Sequence, residues 1–311
     1  MTQLANQQID YLKESNQVLS HKGKTFSWAK FFLTKKQANR AVRLYRFCRF
    51  IDDLGDEYTS IKSAKLALDK ITQDLKSGAS TDLIVADAIA LFSECQIDVG
   101  IPILFIEGVL SDLKRVRIKN EQELIVYCYQ VAGTVGLMMS KILDVNDPRA
   151  LAHAIDLGVA MQITNICRDV TEDAHLKRRY LPASLIGDLE PAQLINPDLA
   201  TQGKLRATLK SLLQLADQYY KSGYEGLCFI TIRSRLSIAI ASSLYRQIGI
   251  ILKKQQYECW RFRSVASPSL KLKLSIKIVM TSLLDKDFFY YKNPHKQFLH
   301  LAIKKMPYVH A

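Results

Sequence analysis

The sequence lacks any run of about 18 uncharged apolar residues, so no membrane-spanning helix is read from it. The nearest stretch, Ser237 to Leu252, is too short and carries Arg246. Met1-Thr2-Gln3-Leu4-Ala5-Asn6 is polar. It has neither the basic-then-apolar order of a secretory leader nor the arginines of a transit peptide. No C-x-x-C pair occurs among the six cysteines (Cys48, Cys95, Cys128, Cys167, Cys228 and Cys259), which speaks against a zinc site. They read as reduced core residues of a cytosolic protein. Alternating strand residues with hairpin turns are missing, as are a fixed-period repeat and a domain-separating linker. Nothing resembles a nucleic-acid motif, and the aromatics form no base-stacking ladder. The net charge of +13 therefore leaves two readings open. One is a surface for anionic lipid or phosphorylated ligands, the other a plain solvated basic surface.

What is present is helical periodicity. Apolar residues recur at helical spacing through Lys62–Leu75, Ala86–Phe92, Leu124–Leu143, Leu151–Asp169, Leu205–Tyr220 and Leu236–Leu252. Breaks fall at Ser77-Gly78-Ala79-Ser80, Val99-Gly100-Ile101-Pro102, Val145-Asn146-Asp147-Pro148 and, longest, Leu181 to Pro197. The expected fold is all-α: one helical domain over residues 1–311. Residues 275–311 form a basic and aromatic helical tail. Lys271 to Lys277 alternates Lys with Leu and Ile, ahead of Phe288-Phe289-Tyr290-Tyr291-Lys292. An amphipathic helix packed on the core is the preferred reading, and contact with an anionic membrane the other.

Two acidic clusters stand out. Tyr45, Arg49, Asp52 and Asp56 share one helix face at about 100° per residue, with Asp53 and Glu57 at its edge. Over a hundred residues later, Gln162, Asn165, Asp169, Glu172 and Asp173 form a polar stripe with Gly158. Val159, Ile163, Ile166 and Val170 lie opposite. Carboxylates in apolar segments need a cationic partner if they are buried. Oxygen ligands suit Mg²⁺, which commonly bridges protein carboxylates to a substrate phosphate. Facing acidic helices, metal ions and a diphosphate would balance one another's charge and assist departure of diphosphate from carbon. Arg49 and Arg168 are placed to hold phosphate oxygens. Tyr45 offers a hydroxyl and a π-face beside a carbocation.

With these motifs the sequence resembles the squalene/phytoene synthase family over about residues 22–274, most closely its bacterial phytoene synthase branch. The resemblance also rests on Lys24-Thr25-Phe26, on Tyr127-Cys128-Tyr129-Gln130-Val131-Ala132-Gly133-Thr134-Val135-Gly136, on Arg178, Tyr180, Leu181 and Pro182, and on Tyr245. It implies an all-α synthase with a central cavity that joins two prenyl diphosphates head to head. It implies Asp52, Asp56, Asn165, Asp169 and Asp173 as metal ligands, for Mg²⁺ or alternatively Mn²⁺. Lys24, Thr25, Arg49, Arg168, Arg178 and Tyr180 would hold diphosphate. Tyr45, Tyr127, Gln162 and Tyr245 would line the reacting centre. Gly133 and Gly136 serve either a prenyl chain lying on the helix or close helix packing, and Met138 and Met139 either a tunnel or ordinary core.

Gly136-Leu137-Met138-Met139, Ile106-Glu107-Gly108 before an acidic residue, Arg233-Ser234-Arg235 and Arg263 to Ser267 resemble the phytoene branch. The implied product is phytoene from two geranylgeranyl diphosphates, in carotenoid biosynthesis. NADPH is not expected, and no Gly-rich dinucleotide fingerprint is present. The alternatives are a C30 synthase making squalene, dehydrosqualene or hydroxysqualene from farnesyl diphosphate, a non-catalytic helical relative, and a single-substrate terpene cyclase. A cytoplasmic protein resting peripherally on membrane is expected. The sequence does not specify its oligomeric state. Three positions depart from the family pattern. Gly55 stands in the first acidic helix at a cost of roughly 1 kcal/mol relative to Ala. Arg46 replaces a small residue beside Tyr45. Lys177 replaces the usual Gly before Arg178, which bears on the loop conformation and adds a candidate phosphate contact.

Overall fold

The computed structural model describes residues 24–56 and 60–309. Within them several helices begin at a side chain that accepts first-turn amides. Helix α1 (Lys24–Ala29) precedes α2 (Lys35–Asp56). Ser60 caps α3 (Ile61–Ser77), which ends at Gly78 in the left-handed conformation. Asp82 accepts from Ile84 N and Val85 N to start α4 (Leu83–Glu94). Helix α5 (Gly100–Asp112) begins inside the expected break at Gly100-Ile101-Pro102. Proline is tolerated in a first turn, where no intrahelical donor is lost.

Asn120 caps α6 (Glu121–Cys128). It continues through a π-type turn at Tyr129–Gly133 into α7 (Thr134–Ile142). Such widened turns recur at functional sites. Helix α8 (Arg149–Arg168) ends at Asp169, and α9 (Val170–His175) follows. The expected continuous second acidic helix is thus bent at Asp169, although Asp169 N still bonds Asn165 O at 2.9 Å and Asp173 N bonds Asp169 O at 2.8 Å. The long break carries two short helices, α10 (Ala183–Ile186) and α11 (Ala192–Ile195). Then come α12 (Leu199–Glu225), α13 (Ile232–Lys254) and α14 (Pro268–Leu284). Among the described residues, β-type pairing is confined to one bridge, Arg117 with Arg179.

Helix α8 sits at the centre, packed on α7, α12 and α13. It is long and apolar enough to cross a membrane by composition, more so than the stretch singled out from sequence. Here it is core, with Ile155, Val159, Ala160 and Ile163 fully buried. Its approach to the π-type turn and α7 is backbone on backbone. A Cβ on Gly136 would lie 2.2 Å from the Ala154 carbonyl oxygen, and one on Gly158 2.2 Å from that of Ala132. One on Gly133 would lie 2.7 Å from Tyr129 Cδ2. Close packing therefore accounts for Gly133 and Gly136, and Met138 is fully buried core. Four of the six cysteines are buried and all six are free thiols.

Ion pairs aim the first acidic helix. Arg40 reaches Glu94 at 2.8 Å and Asp144 at 2.9 Å, while Arg43 reaches Asp87 at 2.8 Å and Glu94 at 2.9 Å. These contacts lock α2 onto α4 and onto the turn after α7, with Phe47 and Ile51 buried beneath. Gly55 faces α5, where a Cβ would lie 2.8 Å from Val109 Cγ1. Its helix cost is offset by that close approach.

The tail differs from the helical expectation. Its α-helix ends at Leu284, and beyond it the chain continues as turns with two short 3-10 helices, Lys286–Phe288 and Gln297–His300. Asn293-Pro294 breaks helical geometry, since proline disfavours α conformation in the residue before it. Tyr219 Oη donates to Leu299 O at 2.6 Å, and Phe288, Leu299 and Ile303 are buried. Helix α14 turns Ser275 and Ser282 inward and leaves Leu272, Ile276, Met280 and Leu284 51–85% exposed. Leu274 and Ile278 are half-buried on the inward side, so the helix packs on α13 as expected while a second apolar stripe faces outward.

Candidate active site

The end of α2 carries Asp52, half-buried, whose carboxyl is pushed up to about 7. Burial is the main cause. Arg49 opposes it, and Asp56, Asp112 and Asp53 add to it. Arg49 pairs with Asp53 one turn on, and its Nε is buried without a hydrogen-bond partner. Tyr45 lies on the same face. Burial pushes its phenol up to about 12 against the pull of Arg49, with Tyr245, Asp52 and Asp53 adding to the rise.

The second cluster comes from the junction of α8 and α9. Asn165 Nδ2 donates to Gln162 Oε1 at 3.4 Å, while Asn165 Oδ1 is buried with no partner. Asp169 takes Arg168 Nε at 2.7 Å and both Nε and Nη2 of Arg263 at 3.1 Å. Arg263 also reaches Glu172 at 3.2 Å. Asp173 is pushed up to about 8 by burial, then by Asp169, Asp112 and Glu172, with Arg178 opposing. Tyr245 on α13 is near Arg168 and Asp169, and burial raises its phenol.

Arg178 ties the two clusters together. Its amide donates to Asp173 O at 2.9 Å, its Nη1 reaches Asp56 Oδ1 at 2.7 Å, and its Nη2 donates to Gly55 O at 3.2 Å. Burial works against its charge, but Tyr180, Asp56 and Asp112 outweigh that and hold the guanidinium above its ordinary value. Lys177, just before it, has φ +59°, in the left-handed region that favours glycine. The strained turn is held by Arg117 Nη1 donating to Lys177 O at 2.8 Å.

Between the clusters stands Asp112, at the end of α5. Tyr127 Oη donates to its Oδ2 at 2.9 Å and Tyr180 Oη to its Oδ1 at 2.7 Å. The two rings stack with centroids 4.8 Å apart. Burial lifts the Asp112 carboxyl to about 6 against the pull of Tyr180, Arg178 and Tyr127. Both phenols are held well above their ordinary value, mainly by burial.

These residues fit divalent cations. Asp52 and Asp173 are raised by burial and by neighbouring acids, a repulsion that a cation relieves. The unpartnered Asn165 Oδ1 is a neutral oxygen ligand on the same face. An all-oxygen set of carboxylates and one amide is the donor chemistry of hard ions. Arg49 Nε is in turn a free donor for an anion beside them.

The squalene/phytoene synthase family model matches residues 19–273. The chain belongs to the squalene/phytoene synthase family. It is 32% identical over 266 residues to a 15-cis-phytoene synthase of Pantoea ananas, covering 81% of this chain and 85% of that one. It is also 32% identical to a phytoene synthase of Pseudescherichia vulneris, covering 84% and 88%. Among solved structures, a dehydrosqualene synthase superposes with TM-score 0.77 at 25% identity, over 90% of this chain and 99% of that one. A squalene synthase from Alicyclobacillus acidocaldarius gives TM-score 0.68 at 19% identity, over 79% and 96%, a likeness of fold. The helical content is the one expected from the apolar periodicity, and the synthase fold the one the family resemblance implied. The family is one of divalent-metal-dependent prenyl diphosphate synthases.

Against the residues singled out from this squalene/phytoene synthase sequence, the structure places Tyr45, Arg49, Asp52 and Asp56 on α2. It places Gln162, Asn165, Arg168, Asp169 and Asp173 at the α8–α9 junction, and brings Arg178, Tyr180, Tyr127 and Tyr245 around them. Arg49 and Arg168 engage Asp53 and Asp169 rather than open space. The side chains of Lys24 and Thr25 lie outside the described residues. Sequence reasoning gave no role to Asp112 or Arg263. The signal for Asp112 was an acid closing the apolar segment Ile101–Leu110, hidden because the helix was broken at Pro102.

Proposed function

We propose that this chain is a phytoene synthase: a prenyltransferase that condenses two geranylgeranyl diphosphates head to head in carotenoid biosynthesis. The observation that carries the reading is the convergence of both acidic clusters on Arg178, beside the Tyr127–Asp112–Tyr180 group. The choice of the C40 product over the C30 alternative is supported by relatives at 32% identity that bear the phytoene synthase name. The superposable enzymes with C30 names are 25% identical or less.

Asp52, Asp56, Asn165, Asp169 and Asp173 would hold Mg²⁺. Bound there, Mg²⁺ neutralises charge growing on the departing diphosphate. Arg49 donates through its free Nε to the same anion, and Arg178 stands at its rim. Ionisation leaves an allylic cation at C1. The C2–C3 double bond of the second substrate attacks it, leaving a tertiary cation at C3, and loss of a proton from C1 of the ionised substrate closes the ring to a cyclopropyl diphosphate (prephytoene diphosphate). A second ionisation, ring opening and loss of a proton give the central double bond. Tyr45, Tyr127, Tyr180 and Tyr245 contribute π-faces near the cation. Their raised phenols stay protonated, so no phenolate competes as a nucleophile. No reductant enters this balance, and NADPH is not required. Side-by-side incubation with geranylgeranyl and farnesyl diphosphates checks the proposal. A C40 hydrocarbon from the first is expected, and C30 product alone would overturn it.

Peripheral membrane association of a cytoplasmic enzyme accompanies the reading. Its support is the outward stripe Leu272, Ile276, Met280 and Leu284 on α14, flanked by exposed Lys273 and Lys277. Apolar residues flanked by lysines suit an anionic lipid surface. Ile276→Glu with Met280→Glu should abolish flotation with anionic phosphatidylglycerol vesicles while leaving turnover in detergent intact. Unchanged flotation would remove α14 from the proposal.

A further inference from the structure

A second cluster of ionisable groups lies on α8, separate from the acidic site. Asp156 is fully buried. Its Oδ2 accepts from Ser222 Oγ at 2.5 Å and lies 2.8 Å from His295 Nε2, and its Oδ1 lies 2.8 Å from His300 Nε2. One ligand-type atom from each of Asp156, His295 and His300 lies within 4.8 Å of the others. His153 backs the cluster: its Nδ1 lies 2.8 Å from Ser222 O and 2.9 Å from Ser222 Oγ, and its Nε2 3.3 Å from Tyr291 Oη.

We infer that Asp156, His295 and His300 form a binding site for a divalent transition-metal ion of the Zn²⁺ class, which clips the C-terminal segment to the central helix. Two imidazole nitrogens and one carboxylate are the ligand set of Zn²⁺ and its neighbours, with a fourth position left for water. Mg²⁺ takes oxygen ligands, so this site and the acidic site select different ions. A fully buried carboxylate needs compensating charge, and a divalent cation held between it and the two imidazoles would supply it. Ser222, with His153 behind it, orients the carboxylate in the manner of groups that support metal ligands. The expectation against a zinc site rested on the missing C-x-x-C pair, and this ligand set uses no cysteine.

The placement suggests what the ion does. Asp156 lies on the same helix as Gln162 and Asn165, whereas His295 and His300 lie beyond the family-matched segment 19–273. The ion would join a segment outside that match to the helix that carries half of the catalytic face. Such closure stabilises the fold whether or not substrate is present.

The test uses the full chain, stripped with chelator, and Zn²⁺ alone as probe. One Zn²⁺ per chain is expected, raising the unfolding temperature where Mg²⁺ does not. Co²⁺ should give visible d–d absorption without a thiolate charge-transfer band. His300→Gln should weaken Zn²⁺ by more than the roughly 10–100-fold that loss of a supporting partner costs. His295→Gln, at a less buried position, should do the same if His300→Gln folds poorly. No stoichiometric Zn²⁺, a thiolate band, or affinity unchanged in the foldable histidine variants would overturn the site and leave a hydrogen-bonded His–Asp–His strap.

Discussion

Asp112→Asn is the substitution that most directly probes how the reacting centre is held. Asp112 accepts from Tyr127 at 2.9 Å and from Tyr180 at 2.7 Å. A hydrogen bond to a charged group contributes about 1.5–3 kcal/mol, against about 1 kcal/mol between neutral groups. An asparagine offers one acceptor oxygen where the carboxylate offered two, so one phenol loses its acceptor and the other keeps a weaker one. The carboxyl is already raised to about 6 by burial, so removing its charge returns part of that cost. The net loss of positioning is about 1.5–3 kcal/mol, or about 10–150-fold in turnover. Steady-state hydrocarbon formation from geranylgeranyl diphosphate should show that fall in kcat with little change in KM, and an unfolding temperature close to the parent's. Tyr127→Phe should cost less in the Asp112→Asn background than alone, because the two act as one unit. Turnover within twofold of the parent, or strictly additive effects, would refute the reasoning.

Two further outcomes follow from the electrostatics and the backbone. Asp52 and Asp173 have folded-state values of about 7 and about 8, above an unfolded value near 3.9. A raised carboxyl favours the folded state when protonated, a contribution complete below the unfolded value and lost as pH rises through 7 and 8. Chelator-treated protein should therefore unfold at lower temperature at about pH 9 than at about pH 5.5, with Mg²⁺ closing the gap; calorimetry showing no such slope would contradict these assignments. Lys177→Gly relieves a left-handed backbone worth about 1–2 kcal/mol, offset by the extra chain entropy of glycine. The unfolding temperature should rise by about 1–3 °C, and a fall would show that Lys177 earns its place through its side chain.

The helices were legible because their apolar faces repeat at helical spacing and their caps are local. The acidic face of α2 was legible for the same reason, since Tyr45, Arg49, Asp52 and Asp56 share one stripe. What local pattern could not reveal was who meets whom. Asp112 becomes part of the site only when α5 packs beside α2 and the π-type turn that follows α6, and Pro102 disguised that helix as a turn. The fate of Gly136 depended on where α8 passes, and the close approach of Ala154 decided it, while Gly133 is hemmed in by Tyr129 and Ile155. Lys177, at a position where glycine is usual, is read from sequence as bearing on the loop conformation and as a candidate phosphate contact, and its left-handed φ gives the first of these a physical form. The tail was read as helix from its composition, but Asn293-Pro294 and the buried Leu299 and Ile303 send it back over the bundle. The histidines of that tail have no periodic signature. Their partner, Asp156, lies more than a hundred residues earlier.

The central claim is that two clusters far apart in sequence form a single metal-dependent site. Diphosphate release from geranylgeranyl diphosphate, followed in chelator-treated enzyme as Mg²⁺ is added back, tests it most directly in the parent chain, Asp52→Asn and Asp173→Asn. The account predicts no release without metal, recovery in the parent, and a loss of about 100-fold or more in each variant, as expected when a transition-state charge stabiliser is removed. Full activity after chelation, or normal release in either variant, would contradict it.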